Sequence, residues 1–195
     1  MTIQVGQPAP DFTADAVVGG QFKQVTLSAY RGRNVVLFFW PLDFTFVCPT
    51  EIIAFSDAYP QFEERNTAIL GVSVDSKYTH LAWINTPRNK GGLGEVRFPL
   101  VSDLTHQISR DYGVLLEGAG VALRGLFLID KNGVVRHMLI NDLPLGRSVE
   151  EAIRVVDALA HFEKHGEVCP ANWKPGEKTI KPDPKAALEY FATVK

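Results

Sequence analysis

The stretch Val35-Val36-Leu37-Phe38-Phe39-Trp40-Pro41-Leu42-Asp43-Phe44-Thr45-Phe46-Val47-Cys48-Pro49-Thr50-Glu51 decides the reading of this chain. Val35 to Trp40 is a continuous apolar run of strand length, as in a strand buried on both faces. Residues 41–47 break the run, and Pro49 suits the first position of a helix. The pattern predicts a helix over 50–65, with Ile52, Phe55, Tyr59 and Phe62 on one apolar face. Pro60 should kink or shorten it. Cys48 therefore falls at a strand-to-helix junction. A helix start offers unpaired N–H groups and a partial positive charge, and both favour a thiolate over a thiol. Thr45 stands three residues earlier, so a turn can bring its hydroxyl to the sulfur. Pro41 gives the loop a rigid wall that excludes water.

Working outward, 68–74 reads as a second buried strand and 76–85 as a helix. Residues 98–101 read as a short extended piece and 105–112 as a short helix. Residues 125–130 and 134–140 read as paired strands. Lys131-Asn132-Gly133 joins them, because Asn-Gly accepts the positive φ angles of a tight turn. Ser148 and Glu151 have the spacing of a capping box. The helix that follows carries Val149, Ala152, Ile153, Val156 and Ala160 on one face. It should end at Lys164-His165-Gly166, with cations in the last turn and glycine just beyond. Past Gly166 the prolines at 170, 175, 182 and 184 punctuate a polar stretch that reads as a surface arm. The expected division is a domain over 1–165 and an arm over 166–195. The order of strands and helices predicts an α/β fold of thioredoxin-like arrangement, a mixed central sheet flanked by helices.

Bulk properties narrow the function. The 195 residues are 46% hydrophobic and 22% charged, as in an average globular domain, and the net charge is −2. Nothing there calls for nucleic acid or an anionic membrane as partner. The start of the chain lacks a basic region followed by an apolar one. The expected location is the cytoplasm, a reducing compartment. Its two cysteines, Cys48 and Cys169, lack C-x-x-C spacing, and the five histidines do not cluster with them. This argues against a zinc site and against a thioredoxin-type disulfide reductase. No metal, flavin, haem or nicotinamide site is expected. The plain reading of each cysteine alone is a small buried hydrophobe.

Magnitudes show what a reactive Cys48 would still need. A thiol of pKa about 8.5 is only a few per cent ionised at neutral pH. Full ionisation therefore raises the reactive fraction about thirtyfold at most, while nucleophilicity falls along with pKa. Breaking an O–O bond loads negative charge on the leaving oxygen, and losing one preorganised donor there costs about 3–4 kcal/mol. A buried arginine is the residue to expect.

The segment from Phe38 to Glu51, with Pro41-x-x-x-Thr45-x-x-Cys48 at its centre, resembles the active-site segment of the typical 2-Cys peroxiredoxins, the family that includes alkyl hydroperoxide reductase C. Gly120-Val121-Ala122-Leu123-Arg124-Gly125-Leu126-Phe127-Leu128-Ile129-Asp130 is similar to the family's second segment, with Arg124 as its arginine. Gly166-Glu167-Val168-Cys169-Pro170-Ala171-Asn172-Trp173-Lys174-Pro175-Gly176 is similar to its resolving-cysteine segment. The resemblance implies a peroxidase that reduces hydroperoxides through a Cys48 sulfenic acid. Thr45 and Arg124 would bond the peroxide oxygens, and Pro41 would shield the sulfenic acid. Glu51, with Arg147, would hold Arg124. Cys169 would come from the partner subunit of a homodimer to form a disulfide, which thioredoxin or a related dithiol would reduce. A decameric ring of dimers is also implied, with Trp83 at such a contact. One departure is Trp40, where the family usually has tyrosine.

Two further segments resemble marks of peroxiredoxins that excess peroxide inactivates: Gly91-Gly92-Leu93-Gly94, and Tyr190-Phe191 in the arm. Each residue also has a plain reading. Thr45 can cap a turn, Glu51 and Arg147 can be a simple ion pair, the glycines a flexible loop, and Tyr190-Phe191 a satellite apolar patch. A holdase chaperone or a redox-signalling assembly is the rival from another class.

Overall fold

The apolar run is a strand buried on both faces because it finds neighbours on both sides. In the computed structural model, which describes residues 3–194, nine strands and six α-helices follow in order. β1 (Thr13–Val18) and β2 (Gln21–Thr26) form a hairpin through Gly19 and Gly20, both at positive φ. β3 (Asn34–Phe39) is buried at all six residues. Then come α1 (Cys48–Asp57), α2 (Tyr59–Glu64), β4 (Thr67–Ser73), α3 (Lys77–Asn85), β5 (Leu100–Ser102) and α4 (Gln107–Asp111). The two-residue strands β6 (Leu115–Leu116) and β7 (Val121–Ala122) pair only with each other. β8 (Arg124–Ile129), β9 (Val135–Asn141), α5 (Val149–His165) and α6 (Ala187–Phe191) complete the order.

The main sheet has seven strands in the order β2-β1-β5-β4-β3-β8-β9. β3 pairs parallel to β4 and antiparallel to β8, so the sheet is mixed and the apolar run is an interior strand beside the central β4. β4 pairs parallel to β5, and β1 closes on β5 antiparallel. α2 packs on β4, and α3 packs on β1 and β5. Leu37, Phe39, Leu70, Val72, Tyr112 and Phe127 lie in one fully buried core cluster. This is the thioredoxin-like architecture that the sequence predicts. The chain divides into two compact units, Met1–Val149 and Glu150–Lys195.

The structure refines three local expectations. The helix predicted over 50–65 is two helices. Its first part begins at Cys48, and Pro60 stands in the first turn of α2, where its missing N–H costs nothing. The turn between β8 and β9 has only Gly133 at positive φ. Asn132 does not need it, because the Asp130 carboxylate accepts from the Asn132 and Val134 amides, each at 2.9 Å, and shapes the turn from its side. Trp83 is fully buried in its own chain, not placed at a surface for another subunit. Its indole donates to the Gly91 carbonyl at 2.8 Å, and its ring lies against those of Trp40 and Phe44.

Candidate active site

Cys48 is the first residue of α1, fully buried below the loop that leaves β3. Thr45 Oγ1 lies 2.9 Å from its sulfur and 3.0 Å from the Leu42 carbonyl oxygen. A hydroxyl has one proton, so it serves one of the two at a time. Arg124, the first residue of β8, sits across the sheet from the end of β3. Its Nη1 donates to Cys48 Sγ at 3.3 Å and to Glu51 Oε2 at 2.7 Å, while its Nε donates to the Leu143 carbonyl at 2.6 Å. Pro41 is buried at the start of the loop.

Glu51 is one helical turn beyond Cys48, so it shares the sulfur's face of α1. Its carboxylate also accepts from Arg147: backbone N at 2.9 Å and Nε at 2.8 Å on Oε1, and Nη2 at 3.0 Å on Oε2. Arg147 Nη1 donates to the carbonyls of Phe39 at 2.7 Å and Gly125 at 2.5 Å, and its guanidinium lies over the Phe38 ring. Burial pulls the Arg147 guanidinium below its ordinary value, and Glu51 works in the opposite direction. Thr45, Cys48, Glu51, Arg124 and Arg147 are thus one cluster. With both arginines charged and Glu51 ionised, it carries one positive charge, and a Cys48 thiolate brings it to zero.

Cys169 belongs to the second unit. It is a free thiol, partly buried, with Sγ 3.7 Å from the Ala158 carbonyl of α5. Burial pushes it up, and the nearby Arg154 works against that. Arg154 is itself held by Glu151 and by the Trp173 carbonyl. Gly91 to Gly94 is a tightly bonded turn on the end of α3. Amides of Gly92, Leu93 and Gly94 donate to Pro87, Trp83 and Thr86, and Leu93 is fully buried. Arg88 Nε donates to the Leu93 carbonyl, and its guanidinium pairs with Asp57 at the C-terminal end of α1. Tyr190 and Phe191 lie in α6 with ring centroids 5.9 Å apart, Phe191 being exposed.

Sequence reasoning missed a second buried cluster, at the front of the same loop. Trp40 Nε1 donates to Asp43 Oδ1 at 2.8 Å, and His80 Nδ1 lies 2.6 Å from Asp43 Oδ2. Both Asp43 and His80 side chains are fully inaccessible. Residues 37 apart in sequence gave no spacing signal; an aspartate within a run of apolar and aromatic residues was the only hint.

Comparison with known proteins adds the lineage. Residues 5–138 match the AhpC/TSA family, and residues 158–193 match the C-terminal domain of 1-Cys peroxiredoxin. The chain belongs to the AhpC/TSA family. It is 62% identical over 190 residues to human mitochondrial thioredoxin-dependent peroxide reductase, covering 97% of this chain and 74% of that protein. It is 61% identical over 188 residues to bovine peroxiredoxin-2, covering 96% of this chain and 94% of that one. The crystal structure of reduced Plasmodium vivax 2-Cys peroxiredoxin superposes with a TM-score of 0.95 at 52% identity, covering 97% of this chain and 98% of that one. The chain is accordingly a peroxiredoxin, a thiol peroxidase among the oxidoreductases. The cytoplasmic expectation is overturned, because relatives this similar are mitochondrial. A compartment address is separate from the folded chemistry, and two free cysteines suit a reducing setting without singling out the cytosol.

Proposed function

We propose that Cys48 is the peroxidatic residue. Its thiolate attacks one peroxide oxygen; the O–O bond breaks, sulfur loses two electrons, and the other oxygen leaves as water or alcohol after taking a proton. The product is a Cys48 sulfenic acid. Arg124 Nη1 and the Thr45 hydroxyl are the donors aimed at the reacting oxygens, and Glu51 with Arg147 fixes Arg124. Pro41 shields the sulfenic acid. The observation that carries this reading is the placement of two donors within 3.3 Å of one buried sulfur at a helix start.

The cycle then closes through Cys169 of a partner subunit, whose thiol attacks the sulfenic sulfur, forms the disulfide and releases water. Thioredoxin, or a related dithiol protein, reduces that disulfide; a named thioredoxin-dependent relative supports this choice. The resemblance also supports a homodimer, with dimers assembled into a decameric ring, acting in antioxidant defence. Gly91 to Gly94 and Tyr190-Phe191 slow the release of Cys48, so a second peroxide can convert it to sulfinic acid. An oxidation-controlled holdase activity, or a redox-signalling assembly, would be secondary. The deciding test treats fully reduced protein with one equivalent of hydrogen peroxide, followed by a non-reducing gel and a free-thiol count. A covalent dimer with both thiols lost supports the cycle. A monomer with both thiols titratable refutes it.

A further inference from the structure

The peroxidatic loop is fixed at two places, and only one of them is the sulfur. Asp43, in the middle of residues 41–47, accepts from Trp40 Nε1 at 2.8 Å and faces His80 Nδ1 at 2.6 Å. Ser73 Oγ lies 3.4 Å from Asp43 Oδ1. The Asp43 amide donates to Asp75 Oδ2 at 2.7 Å. On its far side His80 Nε2 lies 3.2 Å from the Val101 carbonyl, which can only accept, so Nε2 carries a proton. Nδ1 and Oδ2 then share a second proton in a buried hydrogen bond. Two residues further on, Thr45 is held at Cys48. Between the two anchors Phe44 stands at φ 54°, a left-handed conformation that a bulky L-residue adopts only under constraint.

We infer that Trp40, Asp43 and His80 are positioning residues that latch the loop shut over Cys48. They set how readily it opens for the disulfide step. None of the three touches the sulfur; they act through the backbone of residues 41–47. The indole has room because β4 carries Gly71 beneath it, where a Cβ would come within 2.8 Å of the ring. Opening the loop breaks the Asp43 contacts and frees Phe44 from its constraint. This rests on the peroxidatic role proposed for Cys48, but the latch itself can be measured without peroxide.

The test compares reduced wild-type protein with Trp40→Phe, which keeps the ring and removes one donor to a buried carboxylate. Amide hydrogen exchange is followed at residues 41–48 and across β3 and β4, together with the rate of sulfenate-to-disulfide conversion and the peroxide dose giving sulfinic Cys48. The expected result is exchange about tenfold or more faster, confined to 41–48, as loss of a hydrogen bond to a charged group implies. Disulfide formation should speed up by a similar factor, and the sulfinic dose should rise. A merely structural role would instead raise exchange across β3 and β4 to the same extent, and that outcome overturns the inference. So would exchange and disulfide rates within twofold of wild type. If Trp40→Phe does not fold, Asp43→Asn answers the same question, since it keeps an acceptor for the indole but removes the charge facing His80. Should wild-type protein form no disulfide with peroxide, the cysteine cycle fails, whereas the exchange comparison still decides the latch.

Discussion

Replacing Glu51 by glutamine separates what holds Arg124 from what reacts with peroxide. The carboxylate takes two donors on each oxygen: Arg147 N and Nε on Oε1, and Arg124 Nη1 with Arg147 Nη2 on Oε2. An amide keeps one oxygen. If that oxygen stays on the Arg147 side, its NH2 group points at two guanidinium donors, and two buried arginines share no counter-charge. Removing one partner of a buried ion pair costs about 3–5 kcal/mol. The isosteric change belongs at the low end, about 3 kcal/mol, which lowers the melting temperature of a domain this size by roughly 6–12 °C. Arg124 loses its carboxylate anchor and is left with the Leu143 carbonyl and the sulfur itself, so the donor at Cys48 is no longer preorganised. The second-order rate of Cys48 oxidation should fall about a hundredfold. Rapid mixing with hydrogen peroxide, quenching with an alkylating reagent and counting of free Cys48 by mass measures the rate; calorimetry measures stability. A melting temperature that falls as calculated with a rate within threefold of wild type would refute the claim that Glu51 works through Arg124.

Three further outcomes are expected. Gly92→Ala should destabilise the protein by about 1–3 kcal/mol in a urea titration, because the new Cβ would lie 1.9 Å from the Thr86 carbonyl oxygen and the turn must shift. Tyr190→Ala with Phe191→Ala should raise the peroxide dose that produces sulfinic Cys48; an unchanged dose response removes these residues from the regulatory reading. At Asp130, burial alone would raise the carboxyl, but bonds from the Val134 amide, the Arg136 side chain and the Asn132 amide hold it below its ordinary value. A depressed carboxyl binds fewer protons folded than unfolded, so its stabilisation is present above the unfolded pKa, about 3.9, and is lost as pH falls through the lower folded value. The stability gap between wild type and Asp130→Ala should therefore be full at neutral pH and narrow below about pH 4, as read by denaturant titration at several pH values.

The parts legible in the sequence were those written in consecutive residues. The apolar run, the break at Pro41 and Pro49 after Cys48 located β3, the loop and α1. Pro60 located the division between α1 and α2. The β1–β2 hairpin was missed although Gly19-Gly20 is a turn signal, with both residues at positive φ. Its strands escaped notice because β2 is mostly exposed and carries little apolar alternation. Arg124, Arg147 and Glu51 came through the family pattern. The Phe39 and Gly125 carbonyls that clamp Arg147 could not, since any residue supplies a carbonyl. Asp43 and His80 were invisible for a related reason: each looks ordinary alone, and only the parallel pairing of β3 with β4 brings them together.

Gly71 also limits the routes by which this chain can change. Trp40 occupies the space that a side chain at position 71 would fill, so the two positions cannot vary independently. Any side chain added at 71 would press its Cβ into the buried indole at 40 and against the Phe38 ring, so a change there requires both rings to give way.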